Sequence, residues 1–164
     1  MTSNARVWLF GDDVNTDMII PGRYLDNYDP DHLASHAMEG VDPEFASKVS
    51  RGDVIVAGVN FGCGSSREQA VIALKHAGVQ AVIAVSFARI FYRNSVNLGL
   101  PSIVSSDASR VFHSGDSVRL DLLSNSMESE DGSRKAALEP VPEYLAKILE
   151  SGGLIPYLRS RLKS

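Results

Sequence analysis

Cysteine is almost missing from this chain: Cys63 stands alone among 164 residues. One thiol excludes an internal disulfide framework. By itself it cannot hold a structural zinc or an iron–sulfur cluster, so any such group would have to be completed by another chain. Long apolar runs are missing as well. The opening MTSNARVWLF lacks the hydrophobic stretch of a signal peptide, and no later run approaches a transmembrane span, so a reducing, cytoplasmic setting is expected. Nor is there an excess of positive charge. Sixteen Lys and Arg against 20 Asp and Glu leave a net charge of −4. That balance carries no electrostatic footprint for nucleic acid or an anionic membrane, and neither is expected as a partner.

What remains is the make-up of an ordinary globular chain. Hydrophobic residues account for 44 % and charged residues for 22 %, enough to bury a real core in one domain over 1–164. The run 5–10 (ARVWLF) reads as a strand, and GDDVNTDMIIPG after it as a polar loop, long for a connection of its kind. Asp-Pro at 29–30, apolar spacing and Gly40 predict a short helix over 29–40, and 41–49 adds a further turn or two. From there the pattern alternates. DVIVAG (53–58), VQAVIAVSF (79–87) and LPSIV (100–104) are apolar runs of buried strands. Helical segments over 66–78 and 88–99, each closed by glycine, lie between them. Strand–helix–strand alternation at this spacing argues for parallel βαβ units. DSVRLDLL (116–123) alternates like a half-exposed strand, 124–138 reads as a hairpin with Asp131-Gly132 at its tip, and two amphipathic helices close the chain.

The stretch NFGCGSSREQA (60–70) supports two readings. Ser65 followed by Glu68 matches a capping box, with Gly62 and Gly64 shaping the turn after a strand. Yet a glycine-rich turn between a parallel strand and a helix also sits where open α/β sheets bind ligands, and a helix start attracts anions. Arg67 is the discriminating residue. A cation in a first helical turn opposes the dipole, whereas its planar fork suits a carboxylate or phosphate. The turn is neither a Walker A nor a G-x-G-x-x-G sequence, which leaves the ligand open. Cys63 as a thiolate nucleophile would need a base from His32, His36, His76 or His113. None stands at a telling spacing, and a lone cysteine beside a buried strand is more often a small core residue. His32 and His36 lie four apart without an H-E-x-x-H context and read as solvated helix positions.

Three segments together, GDDVNTDMIIPGRYL, the long run from GDVIVAGVNFGCGSSREQA to NLGLP, and SGGLIPYLRSRL, resemble the small subunits of 3-isopropylmalate dehydratase and of the related homoaconitase. This is the compact, two-chain form of the aconitase superfamily, and the resemblance covers nearly the whole sequence. It implies a swivelling β/β/α domain of the aconitase C-terminal type, α/β in class, with three layers and a mostly parallel central sheet. It implies a large partner subunit, in a heterodimer or heterotetramer, that carries a [4Fe–4S] cluster, with no cofactor and no metal bound by this chain. The reaction implied is dehydration and rehydration of a hydroxy-dicarboxylate. The first serine of G-S-S-R, the family's base, falls on Ser65. The groups that hold substrate fall on Ser66 and Arg67, with Gly64 in the same turn, and the T-D-x-I aspartate falls on Asp17.

The segment that sets specificity in this family falls on Tyr24, Leu25, Asp26, Asn27 and Tyr28. Leu25 suits an isopropyl group, and no cation in the segment suits a third carboxylate, while Asp26 fits neither. The expectation is the interconversion of 2- and 3-isopropylmalate through isopropylmaleate, in leucine biosynthesis. Homoaconitase is the alternative, and a non-catalytic anion-binding module a more distant one.

Overall fold

The structure, a computed structural model, describes residues 2–163. Strand β1 (Thr2–Leu9) leads into helix α1 (Thr16–Ile19), a 3₁₀ turn at Gly22–Tyr24, α2 (Pro30–Ala34) and α3 (Phe45–Lys48). Three strand–helix steps follow: β2 (Val54–Ala57), α4 (Glu68–Ala77), β3 (Ala81–Ala84), α5 (Arg89–Leu98), β4 (Ser102–Val104) and α6 (Ala108–Val111). The meander β5 (Ser117–Asp121), β6 (Ser126–Ser129) and β7 (Lys135–Ala137) precedes α7 (Glu143–Glu150) and α8 (Leu154–Leu162). Among the described residues no helix is long and apolar enough to cross a membrane.

The seven strands run in the order β4-β3-β2-β1-β5-β6-β7. β4 to β1 pair in parallel, as the helical crossovers between them require. β1, β5, β6 and β7 pair antiparallel; short turns join β5 to β6 and β6 to β7, whereas β5 reaches β1 from the far end of the chain. β1 belongs to both halves: Val7–Leu9 face β2 and residues 2–6 face β5. Side chains along β2 and β3 alternate between two cores. Ile55, Ala57, Val82 and Ala84 meet Leu74 of α4 and Phe91 of α5. Val54, Val56, Ala81 and Ile83 meet Val118, Leu120, Met127 and Ala136 of the antiparallel strands. The antiparallel half thus covers the second face of the parallel half. That makes the expected β/β/α layering and explains why both central strands read as continuous apolar runs.

Several local expectations hold. Gly78 and Gly99 close α4 and α5 in the left-handed region, at φ 105° and 82°. The hairpin tip forms where predicted, with Asp131 accepting from Ser129 Oγ and from Ser133. Others change. The segment expected as loop after Asp12 contains α1, capped by Asn15, whose side chain accepts from the Met18 amide. The helix expected over 29–40 stops at Ala34. There the backbone turns so that the Met38 and Gly40 amides donate to Ile19 and Met18 carbonyls, at 2.7 and 3.0 Å, and this tertiary pairing wins over helical spacing. Helix α6 is an addition to the sequence reading; Ser105 Oγ caps it by accepting from the Ala108 amide at 3.2 Å.

At the amino end of β2, the buried Asp53 carboxylate ties β1 to β2. Its Oδ2 accepts from Trp8 Nε1 at 2.9 Å, from the Ser50 amide at 2.9 Å and from Arg6 at 3.0 Å. Burial pushes this carboxyl up, but the bonds from Trp8, Ser50 and Arg6 outweigh it and hold it below the ordinary carboxylate value. Its stabilisation is therefore complete above the unfolded-state value near pH 4 and is lost as the pH falls through the lower folded-state value. We expect Asp53→Asn to cost about 1–3 kcal/mol at pH 7, since buried donors lose a charged acceptor. The gap between wild type and variant in urea midpoint should narrow from pH 7 to pH 3.

Candidate functional site

The loops after β1, β2 and β3 leave the carboxyl end of the sheet and stay paired beyond it. Gly58 and Asp13 amides donate to Gly11 and Val59 carbonyls at 3.1 and 2.9 Å. Further out, the Gly62 amide donates to Val14 O at 2.7 Å and the Thr16 amide to Cys63 O at 2.8 Å. On the other side, the Phe61 amide donates to Ser86 O at 3.0 Å and the Ala88 amide to Phe61 O at 2.9 Å. Asp12 Oδ1 accepts from the Val59 amide at 2.8 Å. The long segment after Asp12 is thereby stitched to the glycine-serine turn, although the two are about fifty residues apart in sequence.

This stitching needs glycine at one place above all. Gly62 has φ +84°, and a Cβ there would run into the ring of Phe91, which packs edge-on against Phe61 beneath the turn at 5.2 Å. Gly64, at φ +100°, would press a Cβ to 3.2 Å from Thr16 Oγ1. The chain then emerges: Gly64, Ser65 and Ser66 are exposed. Among the described residues neither serine makes a protein hydrogen bond. The capping box expected from Ser65 and Glu68 does not form. α4 starts at Glu68 with Arg67 as its N-cap in extended backbone and no side-chain cap. The Arg67 side chain reaches back to α1, away from the helix it precedes.

Arg67 is three-quarters or more buried, and its Nη1 donates both to Asp17 Oδ1 and to Ile20 O, each at 3.2 Å. Asp17 is held from the other side by the Gly22 amide, which donates to the same Oδ1 at 3.0 Å. The Arg67 hydrogen bond, and after it the Gly22 amide, keep the Asp17 carboxyl below the usual carboxylate range. The remaining guanidinium nitrogens of Arg67 have no protein acceptor among the described residues. Asp17 on α1 and Gly64, Ser65, Ser66 and Arg67 on the glycine-serine turn therefore lie on two segments that meet. Asn15, Thr16, Gly22 and the Ile20 carbonyl, which build this meeting, escape the sequence reading. The Asn15–Asp17 pair is itself a helix-start signal, with an N-cap side chain and an acid in the first turn.

The segment expected to set specificity starts at the same place and then leaves it. Tyr24 and Leu25 are half-buried and pack on the α4-side core, while Asp26, Asn27 and Tyr28 are exposed. His32 and His36 are not solvated positions. Tyr24 stacks on His36 with ring centroids 3.6 Å apart, and His32 meets both rings edge-on. None of the four histidines bonds to the half-buried Cys63, whose carbonyl serves the loop ladder. Among the described residues no group of three His, Cys, Asp or Glu is placed to hold a metal ion, so this chain's own residues do not fit an iron–sulfur cluster.

Residues 13–107 match the aconitase C-terminal domain family. The chain is 52 % identical over 155 residues to the 3-isopropylmalate dehydratase small subunit 1 of Methanopyrus kandleri, covering 94 % of this chain and 91 % of that one. It is 58 % identical over 152 residues to the methanogen homoaconitase small subunit of Methanothermobacter thermautotrophicus, covering 92 % and 87 %. Its fold superposes on the crystal structure of 3-isopropylmalate dehydratase from Methanocaldococcus jannaschii with a TM-score of 0.94 at 50 % identity, over 99 % and 96 % of the two chains.

Two substitutions separate the roles within the turn. Ser65→Ala removes no protein hydrogen bond and should leave stability within about 0.5 kcal/mol. Gly62→Ala must displace Phe91 and adopt a left-handed backbone, and should cost about 2 kcal/mol or more. Thermal melts of the two variants beside wild type measure the contrast.

Proposed function

This chain belongs to the aconitase C-terminal domain family, and from that premise we propose that it serves as the small subunit of a 3-isopropylmalate dehydratase. The enzyme is a hydro-lyase of leucine biosynthesis that interconverts 2- and 3-isopropylmalate through isopropylmaleate. In this reading the chain works in the cytoplasm as one swivelling domain and closes over a large partner subunit. That partner holds the [4Fe–4S] cluster; among the described residues of this chain no group of His, Cys, Asp or Glu is placed to bind it.

One observation about the site carries the reading: an exposed pair of hydroxyls, free of protein partners, lies two residues or fewer from an arginine whose position is fixed from behind. Ser65 Oγ takes the proton from the substrate carbon. Loss of that proton and of hydroxide from the neighbouring carbon gives the unsaturated diacid and water, and return of water in the opposite sense gives the isomer. A serine alkoxide is too basic to form in ordinary water, so the site must supply positive potential. Arg67 and the amides opening α4 supply it. Ser66 and the free edge of Arg67 hold a substrate carboxylate, and Gly64 lets substrate approach the backbone closely. Asp17 holds the guanidinium at a fixed angle while leaving that edge open.

Homoaconitase is the second reading, favoured by the identity to the methanogen homoaconitase subunit. The segment Tyr24–Tyr28 speaks for isopropylmalate, because it contains no cation. The adjacent Arg23 is already engaged, over the Tyr24 ring at 4.7 Å and 3.8 Å from Glu39. The purified chain should be inactive alone and active once mixed with its large partner. In that mixture Ser65→Ala should lower kcat by about 10²–10⁴, the usual worth of a positioned base. Arg67→Lys, which loses the fork, should chiefly raise KM. Turnover of isopropylmalate and homoaconitate by the same mixture separates the two substrates. A Ser65→Ala enzyme that keeps most of its rate removes the base assignment.

A further inference from the structure

His36 is tied to Arg67 by an unbroken series of contacts. The Tyr24 ring lies parallel to the His36 imidazole, 3.6 Å away and tilted by 7°. His36 Nδ1 is 3.0 Å from Glu39 Oε2, and Arg23 reaches the same carboxylate oxygen at 3.8 Å while lying over Tyr24. His32 completes the cluster, its ring 5.1 Å from His36 and 5.9 Å from Tyr24. Tyr24 is the last residue of the 3₁₀ turn Gly22–Tyr24, and its amide donates to Pro21 O at 3.1 Å. The first residue of that turn, Gly22, gives its amide to Asp17 Oδ1, the oxygen that receives Arg67.

Such a turn has little to hold it by itself. It is one residue triplet long, opens on a glycine and has no side-chain cap, and of its three residues only Tyr24, half-buried, reaches the core. The His36 end, in contrast, is fixed to the same scaffold that bears Asp17. Met38 and Gly40 amides donate to Ile19 and Met18 carbonyls of the α1 segment. The contacts therefore close a ring: α1, Asp17, Gly22, Tyr24, His36, and back to α1.

We propose that His36, stacked on Tyr24 and anchored by Glu39, is a positioning residue for Arg67. It holds the 3₁₀ turn in place so that the Gly22 amide keeps Asp17 at the angle that aims the guanidinium. The inference rests on the reading of Arg67 as the carboxylate-binding group, and it predicts a defect in substrate binding more than in proton transfer.

The test uses the full chain, alone and mixed with its large partner, with three variants. His36→Ala removes the stack from one side, Tyr24→Leu removes it from the other, and His36→Phe keeps a flat ring. In the mixture, His36→Ala and Tyr24→Leu should raise KM for isopropylmalate on the order of ten- to a hundredfold, the scale of a small misplacement, with kcat changed far less. His36→Phe should recover most of the loss. In the chain alone, carboxyl-carbon NMR titration reads Asp17 directly, without any enzyme activity. Its low titration point should rise towards the ordinary value in His36→Ala and Tyr24→Leu, and stay low in His36→Phe. If Asp17 titrates as in wild type in both disruptive variants, or if His36→Phe fails to restore it, the relay is wrong. If Asp17 shifts as expected while KM holds steady, the relay stands, and the assignment of Arg67 to substrate falls instead.

Discussion

The hydrogen-bonded seam between the segment after β1 and the segment after β2 is the constraint on which the rest of this site depends. Two backbone bonds, Gly62 to Val14 and Thr16 to Cys63, at 2.7 and 2.8 Å, continue the parallel pairing of the strands beyond their ends. Without them Asp17 and Arg67 would belong to separate loops. With them, an aspartate at the head of a four-residue helix faces an arginine fifty positions later, and each fixes the other. The guanidinium is thus oriented by protein groups alone, the kind of pre-organisation on which the proposed site would draw.

The seam in turn relies on the layering of the fold. β1 has one parallel and one antiparallel neighbour, and strand identity changes sides there. The segments that follow β1 and β2 leave the sheet on the same face and run side by side, which is what lets their backbones stay paired past the strand ends. The Asp53 cluster secures the other end of the same β1–β2 pair. Below the glycine turn, Phe61, Phe87 and Phe91 form an aromatic floor that leaves no room for a Cβ at Gly62. Stability and site geometry meet at that glycine.

Two parts of the turn that look alike in sequence serve different ends. Ser65 and Glu68 have the spacing of a capping box, yet the arginine between them is pulled to α1, and the helix begins three residues after Ser65. A local preference of about 1 kcal/mol is overridden by a partly buried ion pair with two further backbone ligands. The result leaves the serine hydroxyl unspent on structure. The same kind of override ends α2 early, where residues 38 and 40 pair with α1, and the turn it creates carries His36 against Tyr24.

Local chemistry written in the sequence was enough for much of this protein. The alternation of apolar runs with glycine-closed helices dictates the βαβ core, because each pattern can bury its face in only one way. The G-S-S-R-E and N-T-D stretches carry the family resemblance that implies the site residues, and a lone cysteine cannot by itself hold a cluster. What only the tertiary structure decided is which of those residues meet. The pairing of Asp17 with Arg67, the release of Ser65 from capping and the Tyr24–His36 stack all join positions far apart in the chain or contradict the local pattern. Their partners are chosen by how the sheet and its loops pack, and nothing in a residue's immediate neighbours encodes that choice.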